Sequence, residues 1–167
     1  MNNNYRDMVV GALLVAGAIV LPIVFHVFSQ GAGMLFSPMQ LPVLISAAVL
    51  PIKYAVMVAV IAPLLSSLLT GMPPLMPMAP LMAVENVVYV SVFWLLLQKK
   101  TNAYLALFVA MIIGRVLYAI VSGVFLMVFF GDSGLMPALV GIFVKGWPAM
   151  VLQIIVVPLF VKRIERI

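Results

Sequence analysis

The sequence predicts an all-α integral membrane protein: six transmembrane helices, both termini in the cytoplasm, folded as a single domain over residues 1–167. Three observations carry that reading. Hydrophobic residues make up 66% of the chain and charged ones 8%, against about one half and one quarter in a soluble domain. The apolar residues fall in continuous runs rather than in alternation, which selects helices over a transmembrane β-barrel. The basic residues gather at alternate ends of those runs, the pattern that orients helices in a bilayer.

About 20 apolar residues at 1.5 Å rise cross the hydrocarbon core, and by that ruler the chain divides into six spans. The polar stretch Asn2-Asn3-Asn4-Tyr5-Arg6-Asp7 precedes the first, Met8 to Phe28. That run has no small-residue cleavage site followed by a soluble body, so it is expected to stay as the first helix. A Gly-containing loop, Ser29 to Ser37, leads to a short second span from Met39 to Ile52, with Pro42 and Pro51 inside it and Lys53 closing it. The third span is Tyr54 to Thr70, where Pro63 is expected to kink the helix. Gly71 to Pro77 is a Gly/Pro-rich loop, and Met78 to Leu97 is the fourth span, ended by Gln98-Lys99-Lys100-Thr101-Asn102. Ala103 to Phe129 is the fifth and longest, followed by Gly131-Asp132-Ser133-Gly134. Pro137 to Val161 is the sixth, ending in Lys162-Arg163-Ile164-Glu165-Arg166.

Arg6, Lys53, Lys99, Lys100, Lys162, Arg163 and Arg166 lie at the N-terminus, the second and fourth loops and the C-terminus, while the first, third and fifth loops hold no Lys or Arg. Six spans with cytoplasmic termini produce that alternation. The second span is the shortest, and the charge pattern requires it to cross. If it did not, every later basic cluster would fall on the wrong side.

Composition also excludes functions. The chain has no cysteine, so disulfides and thiol chemistry are absent. Its net charge of +5 is dispersed at span ends, which is a topology signal and not a nucleic-acid footprint. No residues have metal-ligand spacing and no cofactor is implied. There is no phosphate-binding Gly-Lys-Ser/Thr loop, so the chain does not hydrolyse ATP itself. A hydrolytic enzyme would need an activated Ser beside a base. His26 is the single histidine, and nothing marks the nearby Ser37 as a nucleophile.

Setting aside the flanking charges leaves Glu85, Arg115 and Lys145 inside the spans, with His26 near the outer end of the first. A carboxylate at a helix centre costs roughly 2.5–3.5 kcal/mol on insertion scales, so it needs a partner or a purpose. Glu85 sits on span four about two turns below the outer surface, Lys145 at similar depth on span six, and Arg115 near the middle of span five. One carboxylate with two cations leaves a positive surplus, which suits an anionic ligand. The alternative is a purely structural link between helices, and Lys145 also has the stem length to snorkel outward.

Polar neighbours follow at helical spacing. Asn86 adjoins Glu85, and Tyr89 lies one turn from Glu85 on the same face. Tyr118 and Ser122 follow Arg115 on its face, and Gln153 shares a side with Lys145. Trp147 suits either an interfacial belt or stacking on a ligand. Several of the 13 Met residues cluster at the third loop, as Met72, Met76, Met78 and Met82, where lipid-facing packing and pocket lining are both open readings. On the first helix, Gly11, Ala12, Ala16 and Gly17 form a small-residue surface that permits close helix approach, to this chain or to a partner.

Three segments together resemble a known family: GAGMLFSPMQLPVLI from Gly31 to Ile45, APLLSSLLTGMPPLMPMAP from Ala62 to Pro80, and the Glu-containing fourth helix. They are similar to the substrate-binding S-component of energy-coupling factor (ECF) vitamin transporters. The resemblance covers most of the chain and implies a six-helix subunit of a prokaryotic plasma membrane that captures a vitamin from outside. It implies a ligand under the first and third outer loops and between helices four to six, where Glu85, Asn86, Tyr89, Arg115, Tyr118, Lys145, Gln153 and His26 stand as candidates. It further implies docking on a membrane coupling (T) subunit through small residues of helix one, matching Ala12 and Ala16, with two cytoplasmic ATPase subunits supplying energy. Gln40 departs from the His that the resemblance leads one to expect in the SPM-x-LPV stretch, a difference that bears on ligand choice.

The resulting expectation is a subunit that binds a small water-soluble vitamin or precursor for ATP-driven uptake. Pantothenate and nicotinate suit the positive surplus. Pyridoxine or hydroxymethylpyrimidine suit a site where Glu85 bonds a hydroxyl or amino group. The alternative is a non-transporting scaffold such as a cell-shape assembly protein, whose intramembrane charges would only link helices. A scaffold gives no reason to gather polar groups beneath Gly/Pro-rich outer loops. Gly31, Gly33 and Gly71 would let those loops move over a ligand.

Overall fold

A backbone in lipid has no water to bond, so each long apolar run closes its hydrogen bonds within itself as a helix. The structure, a computed structural model, describes the backbone of residues 3–28, 36–130 and 135–164, and the side chains of 4–25, 36–129 and 146–163. Among the described residues six helices form: α1 (Asn3–Phe28), α2 (Gln40–Val49), α3 (Ile52–Thr70), α4 (Met78–Gln98), α5 (Ala103–Phe130) and α6 (Leu135–Ile164). All except α2 contain a stretch long and apolar enough to cross a membrane. The expected loop from Gly71 to Pro77 falls between α3 and α4.

The borders differ from expectation in physically readable ways. Helix α1 begins before the apolar run and takes in Tyr5, Arg6 and Asp7, because no Gly or Pro interrupts it. Arg6 Nε lies 3.7 Å from Asp7 Oδ1 there. Helix α3 continues through Pro63 from Ile52 to Thr70. The loops expected from Ser29 to Ser37 and from Gly131 to Gly134, including Gly31 and Gly33, fall largely outside the described residues.

The second span departs most. Helix α2 has ten residues, or about 15 Å of rise, half of a hydrocarbon core of about 30 Å. Pro51 stops it, since proline has no N–H and its ring clashes with the preceding turn. Leu50 is extended (φ −117°, ψ 152°), as the residue before a proline prefers. Pro51 then opens α3, its carbonyl accepting from the N–H groups of Tyr54 at 3.0 Å and Ala55 at 3.1 Å. Lys53 accordingly belongs to the first turn of α3 instead of closing α2.

Burial offsets that shortness. Helix α2 packs against α1, α3, α4 and α6, while α1–α3–α4–α5–α6 follow one another around it. Val43 and Leu44 are fully buried and join Val58, Tyr89, Phe93, Leu107 and Val157 in the core. A helix in the centre of a bundle meets little lipid, so it tolerates polar groups. Gln40 and Ser46 are both buried on it, and Ser46 Oγ donates to the Val43 carbonyl at 2.6 Å.

The basic ends meet on one side. Asp7 of α1 and Tyr54 of α3 line one groove, and Lys162 at the end of α6 lies 4.8 Å from the ring centre of Tyr104 at the start of α5. The opposite side carries the α3–α4 loop. Gly71 ends α3 in the left-handed region at φ 72°, and its N–H donates to the Ser67 carbonyl at 3.0 Å. A Cβ there would meet nothing within 4 Å, so glycine serves the backbone turn and not a tight fit. Ser66 Oγ and Thr70 Oγ1 donate to the Met72 carbonyl at 2.7 and 3.1 Å, which ties the loop to the helix it leaves.

Candidate functional site

Beneath that loop, α4 and α5 bring three polar side chains together. Glu85 lies seven residues into α4, about 10 Å below its start, and Tyr89 follows on the same face. Tyr89 OH donates to Glu85 Oε1 at 2.5 Å. From α5, Arg115 Nε stands 3.6 Å from the same oxygen. Tyr89 is fully buried, and Glu85 and Arg115 are 3% and 8% exposed. Charges so enclosed are tolerated because they compensate one another, and removing one strands the other at a cost of several kcal/mol. Among the described residues the cluster holds one carboxylate and one guanidinium.

Glycines let the helices carry these groups so close. A Cβ at Gly114 of α5 would collide with the ring of Tyr89. A Cβ at Gly146 of α6 would lie 3.0 Å from Arg115 Cζ and 3.1 and 3.2 Å from its two terminal nitrogens. The cluster is thus layered, with the α4 tyrosine lying on α5 and the α5 arginine lying on α6. Sequence reasoning missed both glycines. The signal was a glycine inside an otherwise apolar helix, which usually has a packing or functional reason.

The remaining candidates distribute as follows. Asn86 is fully buried, and neither of its amide atoms has a hydrogen-bond partner. Buried amides are rarely left so, which makes Asn86 available to a small molecule or water. Tyr118 follows Arg115 by three residues on α5 and is partly buried. Ser122 donates to its own helix, at 3.1 Å from the Ala119 carbonyl. Trp147 is 61% exposed, as an interfacial tryptophan would be. His26 lies on α1 and Lys145 on α6, but their side chains fall outside the described residues, and so does the positive surplus expected from Lys145. No group of metal-ligating side chains occurs among the described residues.

Gln153 does not join the cluster through a bond. Its Nε2 donates to Gln40 Oε1 at 2.8 Å, pinning α6 to the central α2. Gln153 Oε1 has no hydrogen-bond partner. Replacing either glutamine by leucine is expected to lower stability by about 1–3 kcal/mol, because the surviving amide loses its partner. Replacing both is expected to be nearly neutral, as thermal unfolding of the single and double variants will show.

Ala12 and Ala16 face outward on α1. With Gly11, Val15, Met57, Val58 and Ile61 they line an apolar groove of about 400 Å³ between α1 and α3.

Comparison with known proteins agrees with this architecture. Searches of curated proteins and of solved structures return no match. Residues 6–161 match the family described as ECF transporter, substrate-specific component, a match that includes α2 to α5 complete, most of α1 and α6, and every residue of the Glu85 cluster. The chain is therefore a multi-pass membrane protein that belongs to the substrate-specific components of ECF transporters.

Proposed function

We propose that this subunit binds a small water-soluble vitamin or vitamin precursor from the extracellular side, in the cluster built on Glu85, Tyr89 and Arg115, for uptake driven by ATP hydrolysis on separate subunits. The observation that carries the reading is the buried Glu85–Arg115 pair beside the unpartnered Asn86, under the uncharged Gly71–Pro77 loop. A pair that already neutralises itself favours a ligand that offers both a donor and an acceptor over a simple anion. Pyridoxine and hydroxymethylpyrimidine meet that description. Pantothenate and nicotinate become the better fit once Lys145 joins from α6 to restore a positive surplus. Tyr118, Gln153 and His26 are proposed as outer contacts of the same site.

The family works with a membrane coupling subunit and ATPase subunits, and the subunit itself is not catalytic. We assign the coupling contact to the outward face of α1, where Ala12 and Ala16 border the apolar groove. Only 11% of the membrane-spanning window of α1 is buried within the chain, which leaves this helix open to a partner. A non-transporting scaffold is disfavoured by the family and by the buried, unpartnered amide of Asn86, which a mere helix link does not call for.

The test is a thermal-shift series on the detergent-purified protein with pantothenate, nicotinate, pyridoxine and hydroxymethylpyrimidine. A ligand at 100 times its Kd stabilises a single-site binder by about 2.7 kcal/mol, readily seen as a rise in Tm. The reading predicts such a rise with one of the four. No rise with any of them would refute this substrate class.

A further inference from the structure

Arg115 is not held by an ordinary hydrogen bond at its inner nitrogen. Nε is buried and has no hydrogen-bond partner, and its 3.6 Å separation from Glu85 Oε1 exceeds the roughly 2.7–3.2 Å of an N–H···O bond. A charge pair without a directed bond at Nε is a soft restraint, so the surface on which the guanidinium packs bears directly on where it lies.

Gly146 is placed to do so. The three heavy atoms nearest to the position of a Cβ on Gly146 are all guanidinium atoms of Arg115, at 3.0, 3.1 and 3.2 Å. The planar group lies on the bare backbone of α6, and this contact is tighter than an added methyl tolerates without displacing it. The guanidinium is 8% exposed as part of Arg115 and is bounded by Glu85 on the α4 side, so it has little room to retreat.

We propose that Gly146 is a positioning residue: it seats the Arg115 guanidinium on α6 and thereby sets the geometry of the Glu85–Arg115 pair. Its weight for transport rests on the reading of that pair as part of a substrate site, whereas the seat itself is a property of the ligand-free protein. A glycine inside α6 is otherwise a disadvantage, because alanine is the better helix former. On propensity alone Gly146→Ala would stabilise the helix. The seat reverses that sign.

The experiment is a double-mutant cycle on the full chain in detergent without added vitamin, comparing wild type, Gly146→Ala, Arg115→Lys and the double variant. Lysine keeps the charge but lacks the planar fork that touches Gly146. Gly146→Ala is expected to lower Tm by about 2–4 °C in the wild-type background and to leave Tm unchanged or raised in the Arg115→Lys background. In parallel, infrared spectra of protein carrying ¹³C-guanidinium arginine report the Arg115 band, assigned by its loss in Arg115→Lys, and Gly146→Ala is expected to shift it. A glycine needed only for helix packing would give the same Tm change in both backgrounds and an unmoved band, and that result would overturn the proposal. Neither readout requires a bound vitamin, so a protein that binds none of the four would refute the proposed function while leaving this test intact.

Discussion

Arg115→Met is expected to destabilise the protein by about 3–5 kcal/mol and to abolish vitamin binding, because it leaves Glu85 charged, buried and without its counter-ion. Glu85→Gln strands Arg115 in the same way, although a glutamine oxygen still accepts from Tyr89 OH. The informative variant removes both charges. Glu85→Gln combined with Arg115→Met is expected to recover most of the lost stability, since a buried ion pair replaced by uncharged groups of similar volume is often neutral or stabilising. Binding is not expected to return. Thermal unfolding in detergent checks the first half of that statement and a thermal-shift titration the second. A double variant that bound a vitamin as wild type does would remove the charges from the site.

Gly114→Ala is the second large effect. The added methyl collides with the ring of Tyr89. That ring is fully buried and its hydroxyl is tied to Glu85 at 2.5 Å, so the cheap escape of a flexible side chain is closed. Overpacking of a tight core costs about 1–3 kcal/mol and occasionally more, and this site belongs at the upper end. In a Tyr89→Ala background the ring is gone, and the added cost of Gly114→Ala is expected to fall close to zero. Unfolding midpoints of the four proteins decide the point. An equal cost in both backgrounds would mean that Gly114 serves α4–α5 packing as a whole and not the seat of Tyr89.

The helices were legible in the sequence because bilayer thickness sets run length and because lysine and arginine mark the ends. The Glu85–Tyr89 pairing was legible because a four-residue step returns to the same helix face. That Glu85 would meet a cation was legible as chemistry, since buried charges seek a partner, but the sequence left Arg115 and Lys145 both open for that role. What was hidden shares one cause. In a membrane protein both the lipid-facing and the bundle-facing sides of a helix are apolar, so periodicity does not reveal which side packs inward. Hence the sequence did not disclose that the short α2 occupies the centre of the bundle, or that Gln40 would meet Gln153, 113 residues away. Nor did it disclose that Gly114 and Gly146 lie under the two polar side chains, since a glycine records only that no side chain fits.

The small residues of α1 illustrate the same limit from the other side. Their spacing suited either internal packing or an external partner. Gly11 turned out buried, while Ala12 and Ala16 are exposed beside it, a division that the spacing alone did not reveal.

The central claim is that the Glu85–Arg115 cluster holds a small molecule, and native mass spectrometry of the detergent-purified protein tests it most directly. Wild type and the Glu85→Gln/Arg115→Met double variant would be purified alike and any released molecule identified. The account predicts a vitamin-sized adduct on wild type and none on the equally folded double variant. The same adduct on both proteins would contradict it, because the molecule would then be held without the two charges on which the site is built.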